Sequence, residues 1–219
     1  MNIKSLKVAL FLVVALFLAS CAPSTQGAVI TDASPSATGV ACQTNPIPKV
    51  AVIEFANTTN YYGVSVTGVE SAATARLITL LKNSGCYEVI EKSQLQELIE
   101  EQGLESTSPE DLAAAAGAAY VITGAVTEAT IDKPSVSLFG ISAGSAIANI
   151  KVDVRATDVI TGQVVVSKTG AGSSQNGNFS LNTLPIGPIS YDDPEVGPLL
   201  AAASDQAVGD VVLAIRQKF

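Results

Sequence analysis

Histidine is absent from this 219-residue chain. Its absence removes the commonest general base and the commonest metal ligand before any motif is sought. Charged residues are sparse at 15% and aromatics make up 5%, while cysteine occurs only at Cys21, Cys42 and Cys86. No Gly-rich loop runs into Lys-Ser or Lys-Thr, and no dinucleotide fingerprint occurs. Gly140-Ile141-Ser142-Ala143-Gly144 has the letters of a nucleophile elbow, but that elbow needs a histidine partner and a strand–turn–helix setting. Glu97, Glu100, Glu101 and Glu105 read as a solvated helix face rather than metal ligands. Asp192, Asp193 and Glu195 read as a capped turn. The expectation is therefore no catalytic residue, no metal and no cofactor.

What is present starts with an export signal. Lys4 and Lys7 precede an unbroken apolar run over residues 8–17, and Leu18-Ala19-Ser20-Cys21 closes the segment. The uncharged stretch falls short of the ~18 to 20 residues of a membrane-crossing helix and suits a signal h-region instead. Leu-Ala-Ser-Cys resembles the bacterial lipobox at every position. That resemblance implies cleavage after residue 20 and a diacylglycerol thioether and acylated amino terminus on Cys21. Several acyl chains are needed for stable anchoring. Ala22 in place of an aspartate resembles the signal for outer-membrane delivery, with the protein held at the periplasmic face. Losing the two signal lysines from 12 Lys and Arg, against 20 Asp and Glu, takes the net charge from −8 to about −10. An acidic surface of this kind disfavours nucleic acid.

Residues 21–48 form the lipidated cysteine and a Ser-, Thr-, Ala- and Pro-rich tether with Asp32 as its one charge. The folded part spans residues 49–219. It opens with a buried β-branched strand, Lys49 to Phe55, followed by a polar loop and a helix. Thr67 is the expected N-cap of that helix, with Glu70 completing a capping box. Further strands are expected at residues 86–90 and 120–126, with a helix after Ser93 and a short Ala-rich helix capped by Ser108 before Pro109. Ala146, Ala148, Ile150, Val152, Val154 and Ala156 alternate with polar residues, so this strand has one buried and one wet face. Thr161-Gly162 turns the chain into a partner strand over residues 163–167, and a last helix covers about 198–216. The order predicts an α+β or α/β sandwich. Cys42 and Cys86 either pair, as an exported protein permits, or remain two buried thiols.

In order, "KVAVIEFANTT", "GVESAATARLITLLKNSGCYEVIEKSQLQELIEEQGL", "AAAAGAAYVITGAVTEA" and "IKVDVRATDVITGQVV" resemble the curli production assembly/transport (CsgG) family of outer-membrane lipoproteins. The likeness runs from residue 49 to 219 and rests on combination and order. It implies a three-layer α/β periplasmic domain. In the curli channel, subunits form a homo-oligomeric ring and each adds two β-hairpins to a shared transmembrane barrel that exports unfolded amyloid subunits. Relatives that activate penicillin-binding proteins share the fold without a barrel, which leaves a lipid-anchored interaction module assisting an envelope enzyme or assembly machine as the second reading.

Two windows here are free of charge, residues 134–150 and 169–191, where the channel carries its hairpins. Phe139 to Ala143 resembles part of the channel's first hairpin. Phe139, Phe179 and Tyr191 would form a thin aromatic girdle, and Asn176, Asn178 and Asn182 would face the lumen. The family narrows its pore with a Tyr-, Asn- and Phe-bearing loop after the first strand. The equivalent loop here is shorter and departs from that pattern; Asn60, Tyr61 and Tyr62 are candidates for a constriction, the alternative being that the two tyrosines pack at a subunit or loop contact. One prediction needs only the sequence. Radiolabelled palmitate should enter the wild-type protein, while Cys21→Ser should stay unlabelled and unprocessed and leave the membrane fraction after alkaline extraction.

Overall fold

A computed structural model describes residues 42–59, 66–102, 108–132, 135–138, 141–176 and 188–219, with backbone alone for 135–138 and 141–144. The signal segment, Cys21 and most of the tether lie outside these residues. Strand β1 (Lys49–Val52) is apolar on both sides: Val50 and Val52 enter one core and Ala51 enters another. A strand covered on both faces has this composition. It lies between β4 (Glu88–Ile90) and the first part of β5 (Tyr120–Asp132), parallel to both. The sheet then runs antiparallel through β8 (Ala146–Asp158) and β9 (Val164–Asn176), in the order β4-β1-β5-β8-β9, with the short β2 (Ala56–Asn57) also paired to β5.

Helices cover the two faces unequally. Helix α1 (Val69–Ser84) and helix α4 (Gly197–Arg216) bury Leu77, Leu81, Leu200, Val211 and Ile215 against Val52, Ile122 and the inward residues of β8. On the other face α2 (Lys92–Gln102) and α3 (Pro109–Ala115) place Leu95 and Ala113 against Ala51, Ile90 and Val121. The result is the three-layer α+β domain that the resemblance implied. Ala146, Ala148, Ile150, Val152, Val154 and Ala156 are all buried, as their period-2 pattern predicts, whereas Lys151, Asp153 and Arg155 are exposed on the face that α2 and α3 leave bare.

Three local expectations change. Thr67 does not cap α1. The cap is Gly68 at φ +82°, with no side-chain cap bond. Thr67 instead belongs to β3 (Val66–Thr67), paired with β10 (Ile189–Ser190), and its carbonyl accepts the Tyr191 N–H at 2.9 Å. Strand β5 continues past residue 126 to Asp132 through a bulge between Val126 and Glu128. Strand β9 runs to Asn176 rather than stopping near 167. By contrast Ser108 caps α3 as expected, accepting the Asp111 N–H at 3.1 Å.

The extension of β9 through Thr169 to Asn176 lacks β-branched alternation, and its order comes from packing. A β-carbon on Gly170 would lie 1.9 Å from the Ala207 carbonyl oxygen, and one on Gly172 would lie 1.9 Å from that of Ala203. The α4 backbone thus rests directly on β9, and the Gln206 side chain accepts the Ser173 N–H at 3.2 Å. Gly172→Ala should cost about 3 kcal/mol, at the upper end of overpacking effects, because the obstacle is backbone. Denaturant titration of the protein checks this, and an unchanged midpoint would refute the close packing.

Candidate functional site

Strands β5, β8 and β9 end together. Asp132 lies opposite Ile147, and Ala146 lies opposite Asn176. From this end β5 leads into a hairpin of β6 (Ser135–Leu138) and β7 (Ile141–Gly144), paired from Ser135↔Gly144 to Leu138↔Ile141. The second charge-free window leaves the same end, beyond Asn176. Both windows are narrower than their lack of charge indicates. Ala146, Ala148 and Ile150 are fully buried, Thr169 to Asn176 belong to β9, and Ile189–Ser190 form β10. That leaves residues 134–145 and 177–188, each shorter than two membrane strands of ~9 to 11 residues. Asn176 is half-buried at the end of β9, and Tyr191 is half-buried against the core. Phe139, Phe179, Asn178 and Asn182 lie outside the described residues.

Asn60, Tyr61 and Tyr62 also lie outside them, but both ends of their loop are held. The Thr58 N–H and hydroxyl donate to the Val126 carbonyl at 3.0 and 3.1 Å. Asn57 bridges the loop. Its Oδ1 accepts the Thr59 N–H at 3.2 Å and the Thr59 hydroxyl at 2.7 Å, while its Nδ2 donates to the Val66 carbonyl at 3.3 Å and to Glu70 Oε2 at 3.0 Å. Glu70 therefore serves the loop, not a capping box. Just beyond, the β3–β10 pairing joins the segment leaving this loop to the segment leaving the second window, at Val66↔Ile189 and Thr67↔Ser190. Sequence reading passed over Asn57, because an Asn-Thr-Thr run has no feature separating a latch from an ordinary loop.

Around that junction α1 and α4 are tied by Arg76 Nε to Asp205 Oδ1 at 2.6 Å. Burial raises the Asp205 carboxyl above its usual range even so, with Arg76 pulling it back. Burial likewise raises the Tyr191 hydroxyl, opposed chiefly by its hydrogen bond with Ser204.

The opposite end of the sheet, where β1 and β4 begin, carries the covalent constraint. Cys42 and Cys86 form a disulfide with 5.2 Å between α-carbons. Beside it the Tyr87 hydroxyl donates to the Phe219 carbonyl oxygen at 3.2 Å, and the Phe219 ring stacks on Tyr120 at 4.2 Å. Burial pushes the Tyr87 hydroxyl up to about 12, with the Arg216 charge opposing. Among the described residues no group of three or more Cys, Asp or Glu side chains is arranged to hold a metal ion.

Residues 38–218 match the family described as curli production assembly/transport component CsgG. The chain belongs to the CsgG family. No curated protein matches it. Among solved structures it is similar to lipoprotein GNA1162 from Neisseria meningitidis, at 15% identity and TM-score 0.45, covering 62% of this chain and 88% of that one. It is similar to the LpoB C-terminal domain from Escherichia coli at 20% identity and TM-score 0.41, covering 63% and 93%. A PelC dodecamer from Paraburkholderia phytofirmans gives 19% identity and TM-score 0.44, covering 75% and 86%. For a CsgG-family chain, the lipobox and tether read as those of an envelope lipoprotein.

The disulfide closes a sequence separation of 44. Chain entropy assigns a loop of that length about 4 kcal/mol as an upper value. Cys42→Ser with Cys86→Ser should therefore lower the unfolding free energy of this CsgG-family domain by about 2 to 4 kcal/mol. Guanidinium titration of both proteins, with and without reductant, checks it; reductant should change only the wild type.

Proposed function

We propose that this protein is a lipid-anchored subunit of an oligomeric outer-membrane channel that exports unfolded, amyloid-type polypeptides, and that it works without catalytic chemistry or a cofactor. One observation carries the reading beyond family membership: both charge-free segments leave the same end of three paired strands. A shared barrel requires every subunit to point its hairpins one way, and this arrangement supplies that. The loop bearing Asn60, Tyr61 and Tyr62 would then narrow the passage. Amide and aromatic side chains offer an extended polypeptide weak contacts without a charge to trap it.

The shortness of the two charge-free segments favours a second reading, a periplasmic interaction module that binds an envelope partner and forms no pore. Half of a twelve-residue segment, fully extended, spans roughly 20 Å before tilt, less than the ~25 Å apolar band of an outer-membrane barrel. Detergent extraction of the full-length protein, negative-stain microscopy and planar-bilayer recording separate the two. The channel reading expects rings and stepwise conductance, and it expects deletion of residues 135–144 to abolish conductance while the domain keeps its melting temperature. A monodisperse monomer without conductance would leave the module reading standing instead.

A further inference from the structure

Strand β9 closes one side of the sheet, and among the described residues no strand pairs with its outer side. A single hydrogen bond shows which of its groups face out. The Ser173 N–H donates to Gln206 Oε1 on α4, so Asn149↔Ser173 is not a hydrogen-bonded pair of the β8–β9 ladder. Such pairs alternate along antiparallel strands, and this ladder is regular from Ser167 to Asn176. Ser167, Thr169, Ala171, Ser173 and Gln175 therefore turn their N–H and C=O groups away from β8. Natural sheets guard an edge of this kind with charge, proline, a bulge or brevity. Strand β9 is 13 residues long, and from Thr169 to Asn176 it has no charge, no proline and no bulge.

Beside this edge the surface is shaped for one more strand. Gln206, which reaches the outward Ser173 N–H, shares its helix stripe with Ala202 at i−4 and Leu213 at i+7, both half-buried. On the bare face Thr169, Ala171 and Ser173 are exposed, and a concavity of about 400 Å³ is lined by Glu128, Lys151, Ala171, Ser173 and Gln206. The packing of α4 decides what kind of chain fits. A second β9 paired about a two-fold axis would bring its own α4 one strand spacing away, ~4.8 Å, whereas packed helices need ~8 to 10 Å. Helix α4 cannot step aside, because the Ala203 and Ala207 carbonyl oxygens rest on Gly172 and Gly170. The opposite margin of the sheet, β4, has three residues, too few to match this edge. What fits is a lone extended segment with no helix of its own over that face.

We propose that the outer edge of β9, from Thr169 to Gln175, receives an extended segment of a partner polypeptide as an added strand, with Gln206 as a displaceable cap on the Ser173 N–H. In strand addition main-chain hydrogen bonds supply the affinity and alternate side chains the selectivity. The segment selected here alternates: small or β-branched apolar side chains face Ala202 and Leu213, and polar ones lie beside Thr169 and Ser173. The inference goes beyond both readings of the function and depends on neither, since it concerns the margin of the sheet and not the charge-free segments.

The test titrates the full-length protein in detergent with a labelled, capped peptide of about eight residues, alternating valine and threonine. The same peptide N-methylated throughout, which cannot donate to an edge, is the control. Anisotropy should report binding of the first peptide and none of the second, and amide exchange at Thr169 and Ala171 should slow once the first is bound. Ala171→Pro removes an outward N–H while leaving β8 its bonds, and should weaken binding by ~10-fold or more. Gln206→Ala frees the Ser173 N–H and should strengthen binding by about 3-fold or more. If Ala171→Pro lowers the melting temperature, Gln206→Ala and the methylated peptide still decide the matter. Absent or equal binding of the two peptides, or a Gln206→Ala variant that binds no better, would overturn the proposal. So would Thr169 and Ala171 amides already protected in the protein alone, the result expected if a second copy or the chain itself fills the edge. None of these readouts involves conductance, so the channel reading is tested separately.

Discussion

Two carbonyl oxygens of α4, those of Ala203 and Ala207, occupy the space that β-carbons at residues 172 and 170 would need. Any side chain at either glycine would lift the helix off the sheet. With hydrogen there instead, α4 lies flush on β9 and closes the larger core over Val152, Val154, Val208, Val211 and Ile215. The order of β9 beyond Ser167 depends on that contact, since its own Thr-Gly-Ala-Gly-Ser-Ser sequence has little strand propensity. So does the alignment of β9 with the ends of β5 and β8. The common origin of the two charge-free segments thus follows from a backbone-to-backbone contact on the far side of the sheet.

Polar contacts finish the arrangement. Asn57 joins both ends of the candidate constriction loop and holds Glu70, and the β3–β10 pair brings the segment after that loop beside the segment after the second window. Two regions separated by more than a hundred residues in the chain are thereby held at one place. The disulfide and the Tyr87–Tyr120–Phe219 cluster secure the opposite end, so the domain has a covalently braced end and an end that presents segments.

Charge is arranged with the same economy. With 12 cationic side chains against 20 acidic ones in the chain, five ion pairs among the described residues engage a large share of the positive charge.

The sequence by itself determined the elements whose signal is local. Period-2 alternation marked the inward face of β8, and Ser108 and Pro109 marked the start of α3, because each depends on neighbours within a few residues. Order and combination of segments were enough for the family and for the three layers. What escaped depended on residues far apart. Thr67 has every property of a helix cap, yet pairing with a strand more than a hundred residues away claims it for β3. The charge-free windows extend into the core strands, because absence of charge describes a lipid-facing strand and an Ala- and Gly-rich strand under a helix equally well. Only the packing of α4 on Gly170 and Gly172 decided which residues belong to the core and which leave it, and no property of those eight small and polar residues alone carries that information.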